Sequence, residues 1–368
     1  MRIDELTLTA FRNYQQQRVT FDPGCNVIFG ENAQGKTNLL ESLVFLSRGR
    51  SPRARSDREM IAFDAPAGRI DARLLSRERE FHVVVDLYRE KRRHIAINGV
   101  AAKSAAALGG VLHTVLFQPE DLFLIREGAA ARRRFADTAL CQLRPRYDAA
   151  LTAYNRALDQ KTRILRDSED YPRLLDTLPE FNEQLVQYGA VLIGYRARFV
   201  KTLSAYAARC HAECSGGREE LAIAYRTVSA VEDPEAPREE IAAALRRHMA
   251  SHAAAETASR QCLSGPHKDD LFVTIDGREA RAYSSQGQTR TAALAMKLAE
   301  REIYQNDSGE YPVLLLDDVL SELDPRRQEF VLNRIPGGQV FITCCEDDRL
   351  PGLLGGKVLR VSGGRITE

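Results

Sequence analysis

Eight consecutive residues, Gly30-Glu31-Asn32-Ala33-Gln34-Gly35-Lys36-Thr37, carry the spacing G-x-x-x-x-G-K-[ST]. Glycines let the backbone wrap closely around a phosphate with its N–H groups turned inward. A helix starting near Lys36 would aim its positive dipole end at the same anion. The Lys36 ammonium suits β- and γ-phosphate charge, and the Thr37 hydroxyl suits Mg²⁺. Residues 30–38, through Asn38, are therefore the candidate ATP-phosphate loop. The motif alone does not separate kinases, GTPases, transporters and mechanical ATPases.

Far downstream, Val313-Leu314-Leu315-Leu316 runs straight into Asp317-Asp318. A buried parallel strand is continuously apolar, and carboxylates at its end fall where open α/β sheets bind ligands. Asp317 is the candidate Mg²⁺ ligand alongside Thr37. Asp318 is the candidate general base for an attacking water. Ser284-Ser285-Gln286-Gly287-Gln288 precedes a helical run, and Ser321-Glu322-Leu323-Asp324 follows the acidic strand. Ser285 and the backbone at Gln286 and Gly287 form a second anion site at a predicted helix N-terminus. One chain has no use for two γ-phosphate sites. The second is expected to complete the pocket of another copy, with two ATP molecules sandwiched in a two-fold dimer.

These groups need a scaffold, and the spacing of apolar residues predicts one. Ile3, Leu6 and Leu8, then Val19 and Phe21, then residues 26–29 read as strands, and Leu39 to Leu46 recur at helical spacing. Residues 68–100 alternate like a β-meander, with Asn98-Gly99 as a turn. In the middle, Leu143 to Leu165 and Phe181 to Tyr206 repeat at three, four or seven, which predicts two long helices in an antiparallel hairpin around a break with Pro172 and Pro179. Pro145 should start or kink the first. Residues 229–261 read as a further helix or a loop plus helix. The chain then returns to α/β: a helix near 287–305, strands at 313–316 and 339–343, a helix at 325–334 and a final hairpin over 357–364. The domain expectation is an ATPase lobe of residues 1–119 and 263–368, with an inserted helical lobe over 120–262.

Composition narrows the class. The 368 residues hold 52 Lys+Arg and 51 Asp+Glu, net +1, with 44% hydrophobic and 28% charged residues, which excludes a disordered, collagen-like or globally basic chain. No run approaches the ~20 apolar residues a membrane span needs, and the first residues lack an apolar leader, so a cytosolic protein with no membrane partner is expected. Seven cysteines, at 25, 141, 210, 214, 262, 344 and 345, read as free thiols. Cys210-His211 and Cys214 do not make a zinc spacing with any second pair. Cys344-Cys345, after Val340-Phe341-Ile342, read as small core residues ending a strand. Lys91-Arg92-Arg93, Arg132-Arg133-Arg134 and the arginines at 48, 50, 53 and 55 are local basic clusters suited to DNA phosphates without base readout.

The order P-loop, serine-rich signature, Asp-Asp strand and Ser-x-Leu-Asp loop resembles ABC-type ATPases, and within them the RecF family. The resemblance spans the chain and rests further on Phe11-Arg12-Asn13-Tyr14, residues 35–42, Phe117-Gln118-Pro119-Glu120-Asp121-Leu122, Arg133-Arg134-Phe135-Ala136-Asp137 and Gly265-Pro266-His267-Lys268-Asp269-Asp270. It implies an α/β fold: an ABC-type P-loop ATPase lobe with an antiparallel β subdomain and an inserted α-helical lobe without a long coiled coil. It implies Gln118 as a Q-loop residue near the metal. It also implies an ATP-dependent homodimer on double-stranded DNA near single-strand gaps, RecR and RecO as partners, help in loading RecA, and slow hydrolysis as a reset. Ala136 and Lys268 depart from the family pattern, and Thr343-Cys344-Cys345 supplies no switch histidine. The competing expectation is another ABC-type ATPase, SMC-like or transport-associated, with a different partner.

Overall fold

The computed structural model describes residues 1–229, 231–334, 337–345 and 356–367; Ala230, inside the 229–261 stretch, lies outside them. Along the chain come β1 (Arg2–Phe11), β2 (Tyr14–Thr20), β3 (Cys25–Phe29), α1 (Lys36–Arg48), β4 (Ala67–Ser76), β5 (Arg79–Tyr88), β6 (His94–Ile97), β7 (Val100–Ala101) and β8 (Thr114–Phe117). Then follow α2 (Ala129–Leu143), α3 (Pro145–Asp167), α4 (Leu178–Ser215), β9 (Leu221–Arg226), α5 (Arg238–Ser259), β10 (Asp270–Ile275), β11 (Arg278–Glu279), α6 (Ala280–Tyr283) and α7 (Gln286–Ser308). The run closes with β12 (Val313–Leu316), α8 (Pro325–Leu332), β13 (Val340–Cys344), β14 (Lys357–Ser362) and β15 (Arg365–Thr367).

One compact unit is Met1–Leu122 with Lys297–Glu368. It holds two sheets. The mixed sheet runs β15-β14-β3-β13-β12-β8, with β14, β3, β13, β12 and β8 parallel in sequence. Its inner strands are short and apolar, as burial on both faces requires: all four residues of β12 are buried. The second sheet, β2-β1-β4-β5-β6-β7, is antiparallel, and it alternates buried and open residues along β4. Ile3 and Leu6 are both buried although three apart, because the β1–β4 register slips between Ile3 and Glu5 and the extra residue restores the face. Asn98 and Gly99, at φ +51° and +77°, make the tight turn between β6 and β7. Leu39, Leu43, Phe45 and Leu46 of α1 join Phe11, Ile28, Val313 and Phe341 in one apolar core.

The other unit is Phe123–Met296. Here α3 and α4 run antiparallel: Tyr147 packs edge-on against Tyr195 at 5.8 Å, and Tyr154 lies against Gly189. Pro145 starts α3 rather than kinking it. Leu143 belongs to α2, not to the first long helix, because Arg144 before the proline is extended, at φ −136° and ψ 93°. This unit reaches to residue 296, whereas the sequence predicts a boundary at 262. The reason is a three-stranded sheet, β11-β10-β9, that the sequence reading lacks. Strand β10 pairs antiparallel with β9 from Asp270↔Arg226 to Ile275↔Leu221, which ties residues 263–279 to the helical unit. The α7 helix carries the boundary in its middle.

Candidate nucleotide site

Residues 30–37 leave β3 and enter α1 through a turn that two glycines make possible. A side chain at Gly30 would strike Val361 O at 2.3 Å, and Gly35 sits at φ +124°, open to glycine alone at little strain. The turn is gripped from outside by the β1–β2 hairpin. Asn13 Nδ2 donates to Gln34 O at 2.7 Å, and the Tyr14 hydroxyl donates to Gly35 O at 3.0 Å. Gly363 N donates to Gln34 Oε1 at 2.6 Å and Gly364 N to Gln34 O at 3.1 Å. The loop's outward carbonyls are thus taken by neighbours, which leaves its inner face to an anion. Lys36 is almost fully buried, and its Nζ donates to Gly30 O at 2.6 Å, Glu31 O at 3.2 Å and Cys345 Sγ at 3.1 Å. Cys345, read from sequence as a small core residue, is therefore a polar contact of the P-loop; the strand ends one residue before it.

Asn38 faces away from that loop. Its amide donates to Asn13 Oδ1 at 2.9 Å and its oxygen accepts from Arg53 Nη2 at 2.7 Å. Behind it, buried Glu41 takes Arg12 through two bonds, 2.8 and 2.7 Å, and Arg53 at 2.7 Å. Burial works against the Glu41 charge, yet bonds from Arg12 and Ser51 and the Arg53 charge hold its carboxyl below the usual range. This clamp on α1 has a sequence signal only in Phe11-Arg12-Asn13-Tyr14.

The acidic pair stands just past β12. The Asp317 carboxylate oxygen Oδ1 accepts from Thr37 Oγ1 at 3.1 Å and Thr343 Oγ1 at 2.9 Å, and Gln118 also hydrogen-bonds this carboxyl. Burial lifts Asp317 above the usual carboxylate range and the Asp318 charge adds to this, against the bonds from Thr343, Thr37 and Gln118. Asp318 sits at φ +51°, a left-handed conformation that Asp tolerates. Its N–H donates to Thr343 Oγ1 at 2.7 Å, and its Oδ2 lies 4.0 Å from Lys36 Nζ. A cleft of about 460 Å³ opens beside it, lined by Asn32, Asp318, Ser321, Gln328 and Cys345 among others. Lys36, Thr37, Asp317, Asp318 and Gln118 are thus brought together. The donor set fits a hard divalent cation: one hydroxyl beside a buried carboxylate, the rest to come from phosphate and water. Asp324 is used locally. It accepts from Arg327 N at 3.2 Å as the N-cap of α8 and pairs with the Arg327 side chain.

The Ser285 stretch lies in the other unit. Ser285 and Gln288 form a capping box at the start of α7: Gln288 N donates to Ser285 Oγ at 3.2 Å, and Ser285 N donates to Gln288 Oε1 at 2.8 Å. The Gln288 amide also donates to Glu219 at 3.1 Å, so this side chain is held by the fold. Ser285 and Gln286 are exposed at the helix N-terminus.

The basic clusters divide. Arg132 is buried and grips Asp270 through two 2.8 Å bonds, with further bonds to Ile125 O and Glu127 O, so it is withdrawn as a DNA contact. Arg133 is half-buried and donates to Asp269 O at 2.5 Å. Arg93 ties Gly49 O at 2.7 Å and Asp57 at 3.1 Å and is withdrawn for the same reason. Lys91 is exposed beside the Tyr88 ring, and Arg92 is exposed. His211, between Cys210 and Cys214, faces Glu219 at 2.9 Å. Among the described residues no group of three or more His, Cys, Asp or Glu is arranged to hold a metal, and no helix is long and apolar enough to cross a membrane.

Comparison with known proteins agrees with this geometry. Residues 2–353 match the family model described as RecF/RecN/SMC N terminal domain. The DNA replication and repair protein RecF of Symbiobacterium thermophilum is 40% identical over 347 residues, 94% of this chain and 92% of that protein. A solved structure of the recombination mediator protein RecF with ATP, in the RecFOR pathway, is 33% identical with a TM-score of 0.90, covering 99% of this chain and 96% of that one. The Smc head domain from Pyrococcus furiosus, at 16% identity and a TM-score of 0.56, covers 99% of this chain and shares the fold. With a P-loop and an acidic strand end set in an ABC-type, SMC-head-like frame, and with RecF relatives matching nearly end to end, this chain belongs to the RecF family.

Proposed function

We propose that this chain is an ATP-driven DNA-binding protein of replication and repair, in which ATP closes a homodimer. The observation that carries the reading is the meeting of Lys36, Thr37, Asp317 and Asp318 at the carboxyl ends of parallel strands. Lys36 exchanges its carbonyl partners for the β- and γ-phosphates of ATP. Thr37 and Asp317 hold Mg²⁺ together, with Gln118 close by; when bound, the cation neutralises charge developing between those phosphates. Asp318 accepts the proton of the attacking water. Ser285 and the amides at Gln286 and Gly287 reach the nucleotide of the partner copy. The ATP dimer grips double-stranded DNA near single-strand gaps, acts with RecR and RecO to help load RecA, and slow hydrolysis releases it. The dimer is favoured because ATP binds the closed state better than the open one.

Exposed Lys91 and Arg92, with Arg50 and Arg55, are the best remaining phosphate contacts in the first unit. The test is anisotropy of a labelled duplex with and without Mg·ATP over a salt series. The reading expects ATP-dependent binding, no sequence preference, and a log–log salt slope that falls by about one for each of Lys91→Ala and Arg92→Ala. Binding indifferent to ATP would overturn the switch, and an unchanged slope would overturn those two contacts.

A further inference from the structure

Cys345 follows the last residue of β13 and stands partly buried against the P-loop. Its thiol donates to Asn32 Oδ1 at 2.8 Å, accepts from Lys36 Nζ at 3.1 Å, and lies 3.9 Å from Asp318 Oδ1. The Lys36 ammonium has three hydrogens and three neighbours to receive them: Gly30 O, Glu31 O and Cys345 Sγ. Two are main-chain carbonyls of the loop itself. The third is a side chain just past β13, and it is the partner that a substitution can change. Sulfur is a weak acceptor, whereas a phosphate oxygen meeting an ammonium makes a charge-assisted bond about twice as strong as a neutral one. An arriving phosphate therefore wins Lys36 from a thiol. Against a carboxylate in the same place it would have to compete with a charge.

We infer that Cys345 is a positioning residue of the nucleotide site: its thiol holds the Lys36 ammonium and the Asn32 side chain in place and yields Lys36 to an incoming phosphate. The inference rests on the ATP-binding reading above and adds to it a side chain just past β13 that touches Lys36. The thiol also lines the open cleft beside Asp318, so a small reagent reaches it.

Two measurements test this. The first is equilibrium binding of a fluorescent ATP analogue with Mg²⁺, together with steady-state hydrolysis, for Cys345→Ser and Cys345→Asp. The serine variant should bind within about twofold of wild type. The aspartate variant should weaken binding about tenfold or more, since a hydrogen bond to a charged group now has to be broken. That loss should fall on KM, with kcat changed less; a merely structural defect would not split the two. The second is labelling by a small methanethiosulfonate, read by peptide fragmentation to separate Cys345 from Cys344. The Cys345 thiolate attacks the sulfenyl sulfur, an S–S bond forms, the sulfinate leaves with the electron pair and the thiol proton goes to solvent. ATP should slow this labelling about tenfold by filling the contact. Lys36→Met should change its rate without nucleotide, because the thiol loses the ammonium that holds it in place. Wild-type ATP binding in Cys345→Asp, or labelling indifferent to Lys36→Met, would overturn the inference. If the wild type fails to bind ATP at all, the functional reading is what fails, and the Lys36→Met comparison, which needs no nucleotide, decides the contact alone.

Discussion

Among the described residues two Asp-Asp pairs stand at strand ends, Asp269-Asp270 at the start of β10 and Asp317-Asp318 just past β12. Both begin with a buried carboxyl that burial pushes up from its usual range. Their partners differ. Asp270 is closed by the two-pronged Arg132 guanidinium, while Asp269 accepts from the Tyr225 hydroxyl at 2.5 Å and from Val228 N at 2.9 Å. Around them, Arg196 joins Asp137 to Pro266 O, and His267 meets the Tyr154 hydroxyl at 2.7 Å. That pair is a structural tie with its cations built in. Asp317 has neutral donors, Thr37, Thr343 and Gln118, and Asp318 has a lysine only at 4.0 Å. The second pair keeps negative charge beside an open cleft, which suits a cation and a water. The same dipeptide suits architecture or chemistry according to whether arginine has already neutralised it.

The comparison can be broken at several points. The largest expected effect is on turnover: Asp318→Asn should lower ATP hydrolysis about 10²–10⁴-fold, the usual worth of a general base, with a urea midpoint close to wild type. Comparable loss from Asp270→Asn without unfolding would erase the distinction. Next is stability. Arg132→Ala leaves the part-buried Asp270 carboxylate without its guanidinium and should cost about 3 kcal/mol in urea unfolding.

Acid should loosen the first tie as well. Burial pushes His267 down to about 4 from its ordinary 6.5. The folded state therefore favours neutral imidazole, and its contribution is intact above pH 6.5 and lost as pH falls toward 4. The full shift corresponds to roughly 3 kcal/mol. Urea midpoints at pH 7 and 5 for wild type and His267→Gln should show the wild type losing more; parallel losses would contradict this. The smallest effect is Ser285→Ala, which removes the α7 cap for about 1 kcal/mol, and should impair hydrolysis far more than it impairs the thermal transition.

Local motifs were readable because their chemistry is local. The P-loop announces itself in eight residues, and β12 occupies 313–316 as its apolar run predicts. Features that depend on distant partners were not. Leu221–Arg226 is a short alternating run whose partner strand begins at Asp270, so the β9–β10 pairing, and with it the extent of the inserted unit, escapes a reading along the chain. Arg132 looks like part of a basic cluster until Asp270 is placed opposite it. Cys345 looks like core filler because nothing near it in sequence reveals Lys36 as its neighbour. Arg12, Asn13 and Tyr14 were visible only as a family-like string; their work is to hold Glu41 and the carbonyls of Gln34 and Gly35.

The central claim is that the anion site at Ser285 serves the nucleotide of another copy. Sedimentation velocity of the wild type and Ser285→Arg, with and without Mg·ATP and a DNA duplex, tests it most directly. The account predicts that ATP makes the wild type a dimer that carries duplex with it, while Ser285→Arg binds ATP and stays a monomer. A wild type that remains monomeric with ATP and DNA, or a Ser285→Arg variant that dimerises normally, would contradict it.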